Sequence, residues 1–282
     1  MKCDPVAQRL VPIAAALFVL NAILGCSDGG KQFLEAIEAC DEENIKQHLV
    51  TVCKDSNRGC LSEMFTVARS SCDFDVKVSA LRAVPGLEQR IHSADPFGTT
   101  LIHAAVEGYD IKLVRWLIEN GGNATTANPK TGETPLLLAI RLNDLKMVEY
   151  LLMEGANPET ADNLGTAPVH AASLASPSIL EKVLASASGD ANRSDSYGVT
   201  PSFLVVLSNL TLREKIRMLG VLVQHGASLS APIELQEPLP DSRIGEKYDT
   251  LPLDRETTYD FARRVLGIER IELDGLLHKV GR

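Results

Sequence analysis

The most reactive side chains in this 282-residue chain are six cysteines and six histidines, and their spacing narrows the chemistry open to them. Four cysteines, Cys40, Cys53, Cys60 and Cys72, fall within 33 residues. An even cluster of that kind closes two disulfides in an exported chain, with three possible pairings, or remains as buried thiols in a reducing one. It lacks the close pairs that hold zinc. His103 and His170 each precede two alanines, and neither belongs to a His-Glu-x-x-His metal motif. Gly-x-Ser-x-Gly and Gly-x-x-x-x-Gly-Lys-Ser/Thr are also absent. The expectation is a protein without metal, cofactor or reaction.

The elements that position these residues are set by four glycines. Gly98, Gly132, Gly165 and Gly198 stand 34, 33 and 33 residues apart, and each opens a version of one phrase. The phrases are Gly98-Thr-Thr-Leu-Ile-His103-Ala-Ala105, Gly132-Glu-Thr-Pro-Leu-Leu137-Leu-Ala139, Gly165-Thr-Ala-Pro-Val-His170-Ala-Ala172 and Gly198-Val-Thr-Pro-Ser-Phe203-Leu-Val205. Glycine supplies the positive φ of a tight turn. Threonine caps the helix that follows, and proline at its first position loses an amide hydrogen that had no partner. Gly121 and Gly155, after Leu117-Ile118 and Leu151-Leu152, end a second helix.

A period of about 33 residues built on Thr-Pro-Leu-His-x-Ala resembles the ankyrin repeat. The resemblance implies an all-α ankyrin-repeat solenoid of about seven helix-turn-helix units, with short turn tips and one long loop insertion. The expected repeat domain is 31–282: degenerate repeats over 31–94, clear repeats over 95–127, 128–160, 161–194 and 195–229, an insertion over 230–254 and a C-terminal cap over 255–282. The cap rests on Thr257-Thr-Tyr-Asp-Phe-Ala262, and the N-terminal unit on Phe33-Leu-Glu-Ala36-Ile37. Within this register His103 and His170 fill a slot whose ring bonds backbone in the neighbouring turn.

The register also bears on the cysteines. Cys40 follows Ala36 by four and Cys72 follows Ala68 by four, which puts both at the turn between paired helices; Cys53 and Cys60 flank the opposite end. Pairing Cys40 with Cys53, or Cys60 with Cys72, would span a helix of roughly 13 Å at 1.5 Å per residue, beyond the reach of a disulfide. The crossed pairs fail likewise. Cys53 with Cys60 and Cys40 with Cys72 remain, the second requiring an unusually close approach of two turns.

The first residues read differently. Lys2 and Arg9 precede an apolar run from Leu10 to Gly25, too short to span a bilayer comfortably. Its end, Ile23-Leu24-Gly25-Cys26, resembles the bacterial lipobox. That resemblance implies a signal peptide over 1–25, acylation of Cys26, a tether over 26–30 and anchoring in the cell envelope facing the periplasm. By the same family's sorting rule, Ser27 favours the outer membrane.

Without Lys2, Arg9 and Asp4 the formal charge moves from −9 to near −10. An acidic surface argues against nucleic acid and against anionic lipid as partners. The expected partner is another protein. The turn tips carry Phe97, Lys130, Asn163, Leu164 and Tyr197, and tips on a rigid scaffold are where recognition residues vary freely. Three functional readings stand: an immunity factor that neutralises a toxin, an envelope assembly or stress adaptor, and an enzyme or ligand-binding protein with a site under the 230–254 loop.

Overall fold

The computed structural model describes residues 28–55, 57–186, 190–231, 233–235, 256–267, 272–273 and 275–277. They fall into two compact units, one ending at Asn123 and the other starting at Ala124. The first contains α1 (Asp28–Ala39), α2 (Glu42–Asp55), α3 (Asn57–Arg69), α4 (Phe74–Arg82), α5 (Leu87–Arg90), α6 (Leu101–Glu107) and α7 (Ile111–Glu119). The second contains α8 (Pro135–Arg141), α9 (Leu145–Met153), α10 (Pro168–Ala172), α11 (Pro177–Ser186), α12 (Pro201–Leu207), α13 (Leu212–Gln224) and α14 (Thr258–Leu266). Among the described residues there are six helix pairs, and α14 opens a seventh; there is no strand, only an isolated bridge between Ala94 and Thr100.

Each unit is a two-layer stack. In the first, α3 packs on α6, and α4 packs on both α2 and α7; in the second, α8, α10, α12 and α14 form one layer and α9, α11 and α13 the other. The second-layer helices bury the same pattern: Leu113, Val114, Trp116 and Leu117 in α7, and Met147, Val148, Tyr150 and Leu151 in α9. Spacings of one, three and four keep those side chains on one helical face. Each such aliphatic side chain contributes about 1.5–3 kcal/mol on burial.

The helix starts follow the chemistry of the repeated phrase. The Thr134 and Thr200 hydroxyls accept from Leu137 N and Phe203 N, with Pro135 and Pro201 at the first helical position. At α10, where Ala167 replaces the threonine, the helix start is held from the other direction: His170 Nδ1 accepts from Ala167 N at 3.2 Å. In three of the pairs, α1/α2, α6/α7 and α8/α9, the chain turns through a left-handed residue and then an aspartate. Cys40, Tyr109 and Asn143 have φ of 50°, 55° and 57°, and Asp41, Asp110 and Asp144 cap the next helix. Ala36, Ala105 and Ala139 carbonyls accept from those aspartate amides in turn. The α1/α2 pair therefore shares the geometry of the clear repeats although it lacks the Thr-Pro phrase.

Before α6, α8, α10 and α12 the chain makes a tight finger closed by a backbone hydrogen bond. Asp95 N donates to Thr99 O, Asn128 N to Glu133 O, Asp162 N to Thr166 O and Asp195 N to Val199 O. Ile233 N donates to Glu256 O in the same relation, at 2.8 Å, immediately before Thr257 caps α14. Three residues separate Asp195 from Val199, whereas 22 separate Ile233 from Glu256, and the insertion expected over 230–254 overlaps those 22 from 234 to 254. Residues 236–255 lie outside the described residues, as do 1–27 with Cys26.

Candidate partner-binding surface

The finger tips of the second unit are held by a recurrent carboxylate or amide oxygen. Asp162 Oδ1 accepts from Leu164 N and Thr166 N, both at 2.9 Å, and Asp195 Oδ1 accepts from Tyr197 N at 2.8 Å and Val199 N at 3.0 Å. Asn128 Oδ1 accepts from Lys130 N at 2.9 Å. Gly132 and Gly165 close their turns at φ of 73° and 75°, and a Cβ on Gly132 would lie 2.7 Å from Asn163 N. Glycine is needed there twice, for the left-handed turn and for the approach of the next finger.

Adjacent fingers in this unit are joined. Asn163 N donates to Thr131 O at 2.9 Å, its side-chain amide donates to Lys130 O at 2.8 Å, and Ser196 N donates to Leu164 O at 3.4 Å. Lys130, Asn163 and Leu164 are therefore presented together on an ordered edge, all exposed, with Tyr197 half-buried beside them in sequence register. Phe97 is 67 % exposed on the corresponding finger of the first unit, where Asp95 Oδ1 holds Phe97 N and Thr99 N.

Behind the second unit's fingers lies a cavity of about 520 Å³, lined on its apolar side by Ile140, Leu164, Ala171, Leu174 and Leu204. Leu164 is 42 % and Leu174 48 % exposed at this cavity. Arg141 stands on the rim. Its guanidinium donates to Glu133 at 2.7 Å and to Asp162 at 2.8 Å, bracing two fingers from one helix end. Leu174 and Arg141 escape notice in the sequence because nothing marks them until α8 and α10 are laid side by side.

His170 also lines this cavity, but its chemistry is spent on the fold. Nε2 donates to Val199 O of the next finger at 3.1 Å, and Nδ1 holds Ala167 N, which fixes the neutral Nε2–H tautomer. Burial pushes its pKa down, and the neighbouring Asp195 pulls weakly the other way. His103 Nδ1 meets Thr100 Oγ1 at 2.8 Å in the equivalent slot. Among the described residues no three His, Cys, Asp or Glu side chains gather as metal ligands. Trp116 and Tyr150 are buried in the second layer.

In the first unit Cys40 and Cys72 face each other with Cα atoms 5.4 Å apart, and Cys53 and Cys60 with Cα atoms 4.6 Å apart, both at disulfide distance. The first pair joins the inter-helix turns of α1/α2 and α3/α4. The second joins the end of α2 to the start of α3.

Residues 75–162 match the family model for ankyrin repeats, in three copies. Outside that span the α1/α2 pair repeats the turn and its aspartate cap, α10 and α12 are entered through the same finger, and the helices stack in the same two layers, consistent with an all-α ankyrin solenoid in each unit among the described residues. No curated protein matches the chain. Ankyrin repeats are scaffolds for protein–protein interaction.

Proposed function

We propose that this chain is a lipid-anchored ankyrin scaffold of the bacterial envelope that binds another protein through the finger edge and apolar cavity of its second unit, catalysing no reaction, and that the partner is a toxin it neutralises. The observation that carries the binding surface is the paired exposure of Leu164 and Leu174 over the cavity between α8 and α12. An apolar anchor of the partner would fill the cavity, while Lys130 and Asn163 offer polar contacts at the edge, the arrangement of a hot spot with a polar rim. Support for anchoring is the lipobox-like Ile23-Leu24-Gly25-Cys26; support for the immunity role is an acidic chain with no catalytic motif. No helix among the described residues is long and apolar enough to cross a membrane.

Affinity capture of the detergent-solubilised protein tests the surface. Leu164→Asp and Leu174→Asp should each abolish capture of the partner while leaving stability within about 0.5 kcal/mol, as expected of surface changes. Undiminished capture by both variants would move the surface elsewhere. Cys26→Ala should leave unprocessed precursor and remove labelling by a fatty-acid probe; normal processing rejects the anchor. Co-expression with a toxin-like product encoded beside this chain should restore growth, and growth arrest unchanged by the chain rejects immunity.

A further inference from the structure

In three repeats the chain takes nine positions from the end of the second-layer helix to the start of the next finger: Glu119 to Asn128, Met153 to Asp162, and Ser186 to Asp195. From Arg82 to Asp95 it takes thirteen. The extra length coincides with α5, entered through Gly86 at φ 68°. This detour stands beside Trp116, and together they enclose a cavity of about 440 Å³ with Val84, Ile91 and Trp116 as a buried apolar floor. Arg82, Glu88 and Asn120 form an exposed polar rim.

Two polar groups here are left without a hydrogen-bond partner among the described residues. Trp116 is 6 % exposed, and its Nε1–H finds no acceptor among the described residues. Native interiors seldom leave a buried donor unmatched. Over the same ring, 5.7 Å from its centroid, lies the Arg82 guanidinium, which has no carboxylate partner among the described residues. Indole and guanidinium are both donors with no acceptor capacity. A complementary ligand must therefore bring acceptors, negative charge and an apolar body.

We propose that this cavity binds a carboxylate carried on a compact apolar group. One carboxylate oxygen pairs with Arg82, drawing the guanidinium off the indole face, and the Trp116 ring, whose Nε1 edge is closed to solvent, turns to present that edge to the cavity. The other oxygen accepts from Trp116 Nε1. The apolar group rests on Val84 and Ile91. A single cation beside the negative charge of Glu88 favours a monoanion over a phosphate dianion. The carboxylate belongs either to a small free acid or to the C-terminus of a peptide chain. The site is separate from the finger surface, so its failure leaves the proposed scaffold role untouched, and the reverse.

Trp116 is the one tryptophan of the chain, so a single indole N–H signal in the ¹H–¹⁵N spectrum of the intact protein reports on the site alone. The probes are 4-methylpentanoate, acetyl-Gly-Ala-Leu with a free carboxylate, and the same peptide as its C-terminal amide. Either carboxylate should move the indole signal downfield in a saturable way, and the amide should not. Tighter binding of the small acid identifies a free acid as the ligand; tighter binding of the peptide identifies a chain terminus. Arg82→Gln should weaken binding by roughly fivefold, the upper end for a partly exposed charge pair, and Glu88→Gln should strengthen it. Unchanged backbone signals in both variants verify the fold. No saturable indole shift with either carboxylate, or an equal shift with the amide, overturns the proposal.

Discussion

At His170 the imidazole is fully buried, and burial holds its pKa below the ordinary value of 6.5 against the smaller opposing pull of Asp195. The unfolded chain therefore takes up a proton near pH 6.5 while the folded chain still resists it. This contribution to stability is complete above that pH and is lost as pH falls from there toward the folded-state pKa. His170→Leu, which installs the residue type found at position 137, should cost about 1–3 kcal/mol at pH 7.5 by orphaning Ala167 N, yet lose less stability than the parent between pH 7.5 and 5.5. Urea unfolding at the two pH values measures both, and equal losses would contradict this account. Glycines allow a second residue-scale comparison. Gly155→Ala meets nothing within 4 Å and should cost about 1 kcal/mol for its left-handed φ alone. Gly132→Ala has a similar φ but collides with Asn163 N, and should cost about 3 kcal/mol because two fingers must separate. Thermal unfolding midpoints that fell equally would show that the finger contact carries no weight.

At the level of elements, the aspartates that start second-layer helices divide into two kinds. Asp144 accepts from Met147 N, so Asp144→Ala should cost about 1 kcal/mol, the usual value of an N-cap. Asp110 caps α7 and also holds Lys77 Nζ at 2.9 Å, with the lysine side chain 3 % exposed. Asp110→Ala strands that ammonium inside the unit and should cost about 3–5 kcal/mol. Asp110→Asn keeps a capping oxygen and should fall between them, as chemical denaturation of the three variants would reveal. The starts of α8 and α12 were legible in Thr134-Pro135 and Thr200-Pro201 because capping is local chemistry. The α1/α2 pair was readable only through Ala36 and its apolar neighbours. Neither α5 nor the Arg141 brace could be read: α5 appears as a difference in length between repeats, and Arg141 meets Asp162, 21 residues away, only once two fingers are adjacent. Phe97, Lys130, Asn163, Leu164 and Tyr197 were legible as tip residues because glycine fixes the turn. Leu174, whose exposure depends on a neighbouring helix, was not.

Over the whole molecule the cysteine pairs lie in one unit only. Cys53 and Cys60 are 7 residues apart and Cys40 and Cys72 are 32 apart. Closing loops of those lengths restricts the unfolded chain by roughly 2.5 and 3.7 kcal/mol, respectively, in the chain-entropy account. Reductant should therefore raise amide exchange in α2, α3 and α4 while leaving α8 to α13 unchanged; uniform loosening of both units would refute that partition. The hydrogen bond from Ile233 to Glu256 has a different consequence. Lengthening a closed turn from three residues to 22 adds only about 1.7 kcal/mol of closure entropy, because that entropy grows with the logarithm of length. A chain in which Ser-Tyr-Gly replaces residues 234–255 should accordingly keep its helical circular dichroism, and loss of that signal would show that the fold needs the longer segment. Sequence can thus be gained or shed at this point over generations without moving any helix out of step, a place where the protein is free to change its vocabulary while keeping its grammar.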